Sequence, residues 1–122
     1  MTDSKLLDSS AWLEFAINGA YKEIIESDVV LFVSVLSIFE IKKRLITKKY
    51  EETDIMKILD FIKSRSIIVD INKEIAERAV EISIKYNLAA IDSIIYTSAL
   101  SNDAEFITLD NDFRNLPNAT II

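Results

Sequence analysis

Four short runs of apolar, largely β-branched residues, each followed by a longer stretch with helical spacing, limit the folds open to this chain more than any other feature. The runs are Lys5-Leu6-Leu7, Val29-Val30-Leu31-Phe32-Val33, Ile67-Ile68-Val69 and Glu105-Phe106-Ile107-Thr108-Leu109. The second is apolar throughout, as expected of a strand covered on both faces. Between them, Trp12, Phe15 and Ala16 share a helical face over Ala11 to Asn18, with Ser9 or Ser10 as the expected cap. Gly19, the sole glycine, marks the break before a short helical piece from Ala20 to Glu26. Further helices are expected from Ser34 to Lys48, from Glu51 to Ser64 and from Asn72 to Tyr86. The acidic start of the second of these suits the helix dipole. The third carries Ile75, Ala79, Ile82 and Tyr86 on one stripe. A last helix covers Leu88 to Leu100, and Pro117 precedes a candidate final strand, Ala119 to Ile122. Strands alternating with helices predict an α/β fold with a mostly parallel sheet. No repeat, linker or second domain interrupts the pattern, so residues 1–122 are expected to form one domain.

The chemistry open to such a domain is narrow. The chain has no cysteine and no histidine. That excludes Cys/His zinc sites, thiol nucleophiles and histidine general bases. Catalysis must then run on carboxylates, hydroxyls, amines or a metal held by oxygen. The net charge of −6 argues against simple electrostatic binding of nucleic acid unless metal ions or a local basic patch reverse the sign. Met1-Thr2-Asp3-Ser4-Lys5 lacks the pattern of a signal peptide, and no apolar run approaches membrane-spanning length. A soluble, cytoplasmic protein is the expectation.

One carboxylate stands out within Leu88–Leu100. At about 100° per residue Asp92 shares its face with Ala89, Ile95, Tyr96 and Ala99, which aims it at the core. A buried unpaired carboxylate is costly, and no Lys or Arg lies in the stretch. Other acids fall at compatible places. Asp8 follows the first strand, Asp110 follows the fourth, and Glu40 lies about two turns into the helix after the second. In a parallel sheet, ligands sit outside the carboxyl ends of the strands. Carboxylates gathered there repel one another and require a cation. Oxygen-only ligands suit Mg²⁺ or Mn²⁺, and the chemistry that follows is metal-assisted phosphodiester cleavage. Each acid also has an ordinary reading. Asp8 caps a helix, Glu40 pairs with Arg44 on a polar face, Asp92 is an N-cap, and Asp110 and Asp112 are turn residues.

The order Leu7-Asp8-Ser9-Ser10-Ala11-Trp12, Val35-Leu36-Ser37-Ile38-Phe39-Glu40-Ile41, Ala89-Ala90-Ile91-Asp92 and Ile107-Thr108-Leu109-Asp110-Asn111-Asp112-Phe113 resembles the PIN-domain ribonucleases. Within them it is most similar to the small VapC-type toxins of toxin–antitoxin pairs. The resemblance spans essentially the whole chain. It implies a three-layer α/β/α fold with a parallel sheet of four or five strands, and Mg²⁺- or Mn²⁺-dependent endoribonuclease activity. It also implies a homodimer silenced by a cognate antitoxin. On this resemblance Asp8, Glu40, Asp92 and Asp110 match the family's catalytic acids, with Asp8, Asp92 and Asp110 as metal ligands. Ser9 and Thr108 match accessory hydroxyls, and Asp112 is a substitute for Asp110 or an outer group. Tyr96 departs from the small residues usual around the third acid. Core packing with its hydroxyl at the rim is its expected role, and a stacking surface for a base is the alternative.

Two further features are open to more than one reading. Lys42 to Lys49 contains no acid, and Lys43, Arg44 and Lys48 could meet RNA phosphates, an antitoxin or only solvent. Trp12, Phe15 and the helix around Ile55–Ile62 form either a groove or plain core. Haloacid-dehalogenase phosphatases would place Asp-x-Asp after the first strand, where this chain has Asp8-Ser9-Ser10. Receiver domains would show early paired acids and a late Lys, which are absent. An inactive PIN scaffold that binds RNA or protein without cutting is the alternative from another class.

Overall fold

The computed structural model describes residues 3–122. Met1 and Thr2, part of the leaderless reading of the N-terminus, lie outside them. Five parallel strands form one sheet: β1 (Ser4–Leu7), β2 (Val30–Ser34), β3 (Ile67–Val69), β4 (Glu105–Thr108) and β5 (Ala119–Ile121), in the order β3-β2-β1-β4-β5. The candidate strand after Pro117 is therefore real, and it pairs with β4. The helices are α1 (Ser9–Asn18), α2 (Lys22–Ile25), α3 (Val35–Thr47), α4 (Glu52–Arg65), α5 (Lys73–Tyr86) and α6 (Ala90–Ser101). Among the described residues no helix is long and apolar enough to cross a membrane.

The sheet divides two cores because successive strand residues point to opposite faces. Leu7 and Ile107 join Trp12, Ile41, Leu45, Ile55, Leu59 and Ile62 on the side of α1, α3 and α4. Leu6 and Phe106 join Ile75, Ile95, Tyr96, Ala99 and Phe113 on the side of α5 and α6. This is a three-layer α/β/α arrangement. Trp12 is fully buried and the helix around Ile55–Ile62 packs into the same cluster, so the choice between groove and core falls to core there. Phe15 stacks on Phe61 at the rim, with ring centroids 5.5 Å apart.

The ends of the helices follow from local chemistry. Asn72 caps α5 by accepting from the Ile75 N–H. Gly19 ends α1 in the left-handed region (φ 69°), where a Cβ is strained, and its N–H donates to Phe15 O at 2.8 Å. The expected serine cap of α1 is corrected. Asp8 is the cap, its Oδ1 accepting from Ser9 N at 2.8 Å, because the helix begins at Ser9, two residues earlier than the apolar spacing suggests.

Tyr96 packs edge-on against Phe106 and tilted against Phe113, and its hydroxyl donates to the Pro117 carbonyl. Core packing is thus its role, and the hydroxyl fastens the loop that launches β5. Tyr96→Phe is expected to cost about 1 kcal/mol, since it leaves the carbonyl of Pro117 short of a donor. A urea melt should show a lower midpoint with an unchanged slope.

Candidate metal centre

The strand order reverses between β1 and β4, and their carboxyl ends border the crevice where open α/β sheets bind ligands. Leu7 pairs with Ile107, so the next residues, Asp8 and Thr108, emerge side by side. Asp8 N donates to Ile107 O at 2.9 Å, and Thr108 Oγ1 donates to Asp8 Oδ2 at 2.8 Å. Asp8 is 6% exposed, so it serves both as helix cap and as a buried acid at the switch point. Thr108 also accepts from Asp110 N at 3.0 Å, which turns the chain after β4 back toward Asp8. Asp110 in turn accepts from Asp112 N at 2.9 Å and opens a 3-10 turn over Asn111–Phe113.

Asp92 sits in the first turn of α6. The cap of that helix is Ala89, so the N-cap reading of Asp92 is corrected. The core-facing reading is corrected as well. Asp92 is half-buried at the mouth of the crevice, while Ile95, Tyr96 and Ala99 behind it are buried. Oxygens of Asp92, Asp110 and Asp112 lie within 4.8 Å of one another. Asp112 therefore stands beside Asp110, brought there by the 3-10 turn. Glu40 meets the cluster from α3, where its Oε1 accepts from Ser9 Oγ at 3.1 Å. No Glu40–Arg44 ion pair forms. Among the described residues the ion pairs are Lys5 with Asp3 and Lys5 with Glu105, and neither involves the acids of the crevice.

These acids feel one another. Burial pushes the Asp8 carboxyl up, against hydrogen bonds from Thr108 and Ser9, and Asp110 adds repulsion. Burial also raises Glu40, against the Ser9 hydroxyl, with the charge of Asp8 adding to the rise. Asp92 is pushed up to about 6, first by burial and then by Asp8, Asp110, Glu40 and Asp112. The four charges that raise Asp92 come from three separate parts of the chain, the arrangement expected of a cation site. An all-carboxylate donor set fits a hard divalent ion such as Mg²⁺ or Mn²⁺.

Two features escaped the sequence. Ser10 Oγ accepts from Leu109 N at 3.1 Å and touches Thr108 Oγ1 at 3.4 Å, tying α1 to the loop that carries Asp110. Phe39 stands 65% exposed beside Glu40, in a groove lined also by Lys43, Arg44 and Lys48. Nothing in the spacing of Ser10 marked it out from Ser9.

A model of the PIN domain matches residues 5–119. No curated protein matches the sequence significantly. Solved structures resemble this one. A toxin–antitoxin complex from Klebsiella pneumoniae superposes with a TM-score of 0.77 at 24% identity, covering 95% of each chain. The DNA-bound VapBC of Salmonella typhimurium gives 0.80 at 16% identity, covering 100% of this chain and 98% of its own. VapC20 of Mycobacterium tuberculosis, a sarcin-ricin loop cleaving toxin, gives 0.70 at 14% identity, covering 88% and 91%. With a family model spanning nearly all of its length and an acid cluster at the switch point of a five-stranded parallel sheet, this chain belongs to the PIN-domain family.

Proposed function

We propose that this protein is a divalent-metal-dependent endoribonuclease of the VapC toxin type, and that Asp8, Glu40, Asp92 and Asp110 form its active site. The observation that carries the reading is the convergence of these acids on one crevice with no cationic side chain paired to any of them among the described residues. Asp8, Asp92 and Asp110 would hold Mg²⁺ or Mn²⁺, with Asp112 beside them as a further oxygen donor. The ion would supply positive charge against the scissile phosphate and make bound water acidic enough to ionise near neutral pH.

The chain's own groups do the rest. Thr108 and the Ser9 N–H hold both oxygens of Asp8 in place, so its orientation is set before substrate arrives. Ser9 donates to Glu40, which in this reading would orient the attacking water and accept its proton. Ser10 fixes Leu109 and with it the start of the acidic loop. An active scaffold of this kind also fits the company it keeps: toxin–antitoxin complexes of the same fold support a cognate antitoxin as partner. We place the protein in the cytoplasm, as a homodimer in a toxin–antitoxin pair.

The test is cleavage of single-stranded RNA by purified protein with 5 mM-scale Mg²⁺ or Mn²⁺ against the same reaction in excess EDTA. Cuts within the chain that vanish on chelation are expected. The inactive-scaffold reading predicts intact RNA in both.

A further inference from the structure

Lys43 and Arg44 on α3 and Lys48 at its C-terminal cap line, with Phe39 and Glu40, a groove of about 570 Å³ that borders the acid crevice at Ser9 and Glu40. Three cations on one wall are notable in a chain of net charge −6. None of them is in an ion pair among the described residues. Glu14, also in the lining, accepts from Asn18 Nδ2 at 3.0 Å and forms no ion pair with them. Phe39 presents its ring to this groove, 65% exposed, with Lys43 Nζ 5.9 Å from the ring centroid. That contact is a weak cation–π interaction at a wet site, which a phosphate oxygen can outcompete for the ammonium group. The groove therefore joins unpaired positive charge to one free aromatic face, next to the acids that would cut.

We propose that this groove is a binding subsite for single-stranded RNA flanking the scissile phosphate, in which Phe39 stacks a base and Lys43, Arg44 and Lys48 hold the backbone. The inference rests on the nuclease reading and adds the substrate's contact surface to it. Single-stranded RNA is the occupant that matches both parts, because an aromatic platform needs an unstacked base and the cations need regularly spaced phosphates. An acidic peptide would satisfy the cations and leave the ring face without a planar partner. A flat base on Phe39 tolerates any sequence, so the subsite contributes affinity and register and reads little sequence by itself.

The test measures binding of a fluorescent single-stranded oligoribonucleotide in EDTA, where no cleavage occurs, and steady-state cleavage in Mn²⁺. Phe39→Ala is expected to weaken binding roughly 5- to 150-fold, the range for one stacked base. Phe39→Trp should bind like the parent and Phe39→Leu like the alanine variant, since leucine keeps the apolar surface and loses the flat face. In cleavage, Phe39→Ala should raise KM with little change in kcat. Lys43→Glu should lower the slope of log affinity against log salt by at least about 0.7, one phosphate contact on a single strand. Equal affinity of parent, Phe39→Ala and Phe39→Leu for RNA, with cleavage intact, overturns the subsite and leaves the nuclease reading standing. So does weakened capture of an antitoxin peptide by these variants with RNA affinity unchanged. A parent protein that neither binds nor cuts RNA overturns both readings.

Discussion

Replacing Asp8 by asparagine is expected to leave the fold intact and to lower divalent-dependent RNA cleavage by about two to three orders of magnitude, the loss typical when one electrostatic stabiliser of a charged transition state is removed. The substitution is close to isosteric. Asparagine Oδ1 can still accept from Ser9 N and so keep the cap of α1. Its Nδ2 can donate to Thr108 Oγ1, whose own proton then turns toward Ser10 Oγ, 3.4 Å away. What disappears is the negative charge at the switch point of the sheet. Asp8 carries that charge against its own burial, with a carboxyl raised above the ordinary range. Asp8→Asn should therefore melt no lower than the parent in metal-free buffer. Single-turnover cleavage and a thermal melt on one preparation separate the two effects. Undiminished cleavage would remove Asp8 from the site.

The second large effect is a pH dependence of stability that a divalent ion abolishes. Asp92 has a carboxyl pushed up from 3.8 to about 6 in the folded chain. Between those values the folded state holds a proton that the unfolded chain has released, so stability falls as pH rises through the window and stays low above it. The shift corresponds to about 3 kcal/mol by proton linkage. Screening of a half-exposed carboxylate reduces this to about 1–2 kcal/mol. Asp8 and Glu40 are raised as well and act in the same sense. The chain has no histidine, so no side chain of ordinary pKa near 6.5 obscures the range. Metal-free protein should melt several degrees higher at pH 5 than at pH 7.5, and Asp92→Asn should flatten the difference. Mn²⁺ at a hundred times its dissociation constant should restore about 2.7 kcal/mol to the parent at pH 7.5. A parent protein whose melting temperature ignores both pH and Mn²⁺ would show that its acids do not repel one another.

The trade is between stability and function. An acid cluster at the mouth of a crevice destabilises the metal-free protein, and the same repulsion would favour a bound cation. The fold supplies the geometry through a few hydroxyls: Ser9 reaches Glu40, Thr108 holds Asp8 and Asp110, and Ser10 holds the loop between them.

Much of this was legible in the residues. The alternation of apolar runs and helical stripes predicts the parallel sheet, and acids placed just beyond Leu7 and Thr108 predict where the crevice lies. Asp92 was conspicuous because its helix carries no cation. Its true position was harder to read, since Leu88–Leu100 is apolar nearly all round and periodicity could not tell the buried face from the first-turn rim. Glu40 sits on a polar face with Arg44, and only the approach of Ser9 from another helix turns it toward the acids. Asp8 looked like a choice between cap and ligand, whereas one carboxylate can serve as both because its two oxygens point to different partners. Asp112 and Phe39 depend on a 3-10 turn and on the packing of α1 against α3, which no local spacing encodes.

Mn²⁺ titrated calorimetrically into the metal-free parent and into Asp8→Asn at pH 7.5 addresses the acid cluster most directly. Saturable binding to the parent and binding at least about tenfold weaker in the variant are the predicted results. Heats no larger than dilution for the parent, or identical isotherms for both proteins, would contradict a metal centre built on Asp8, Asp92 and Asp110.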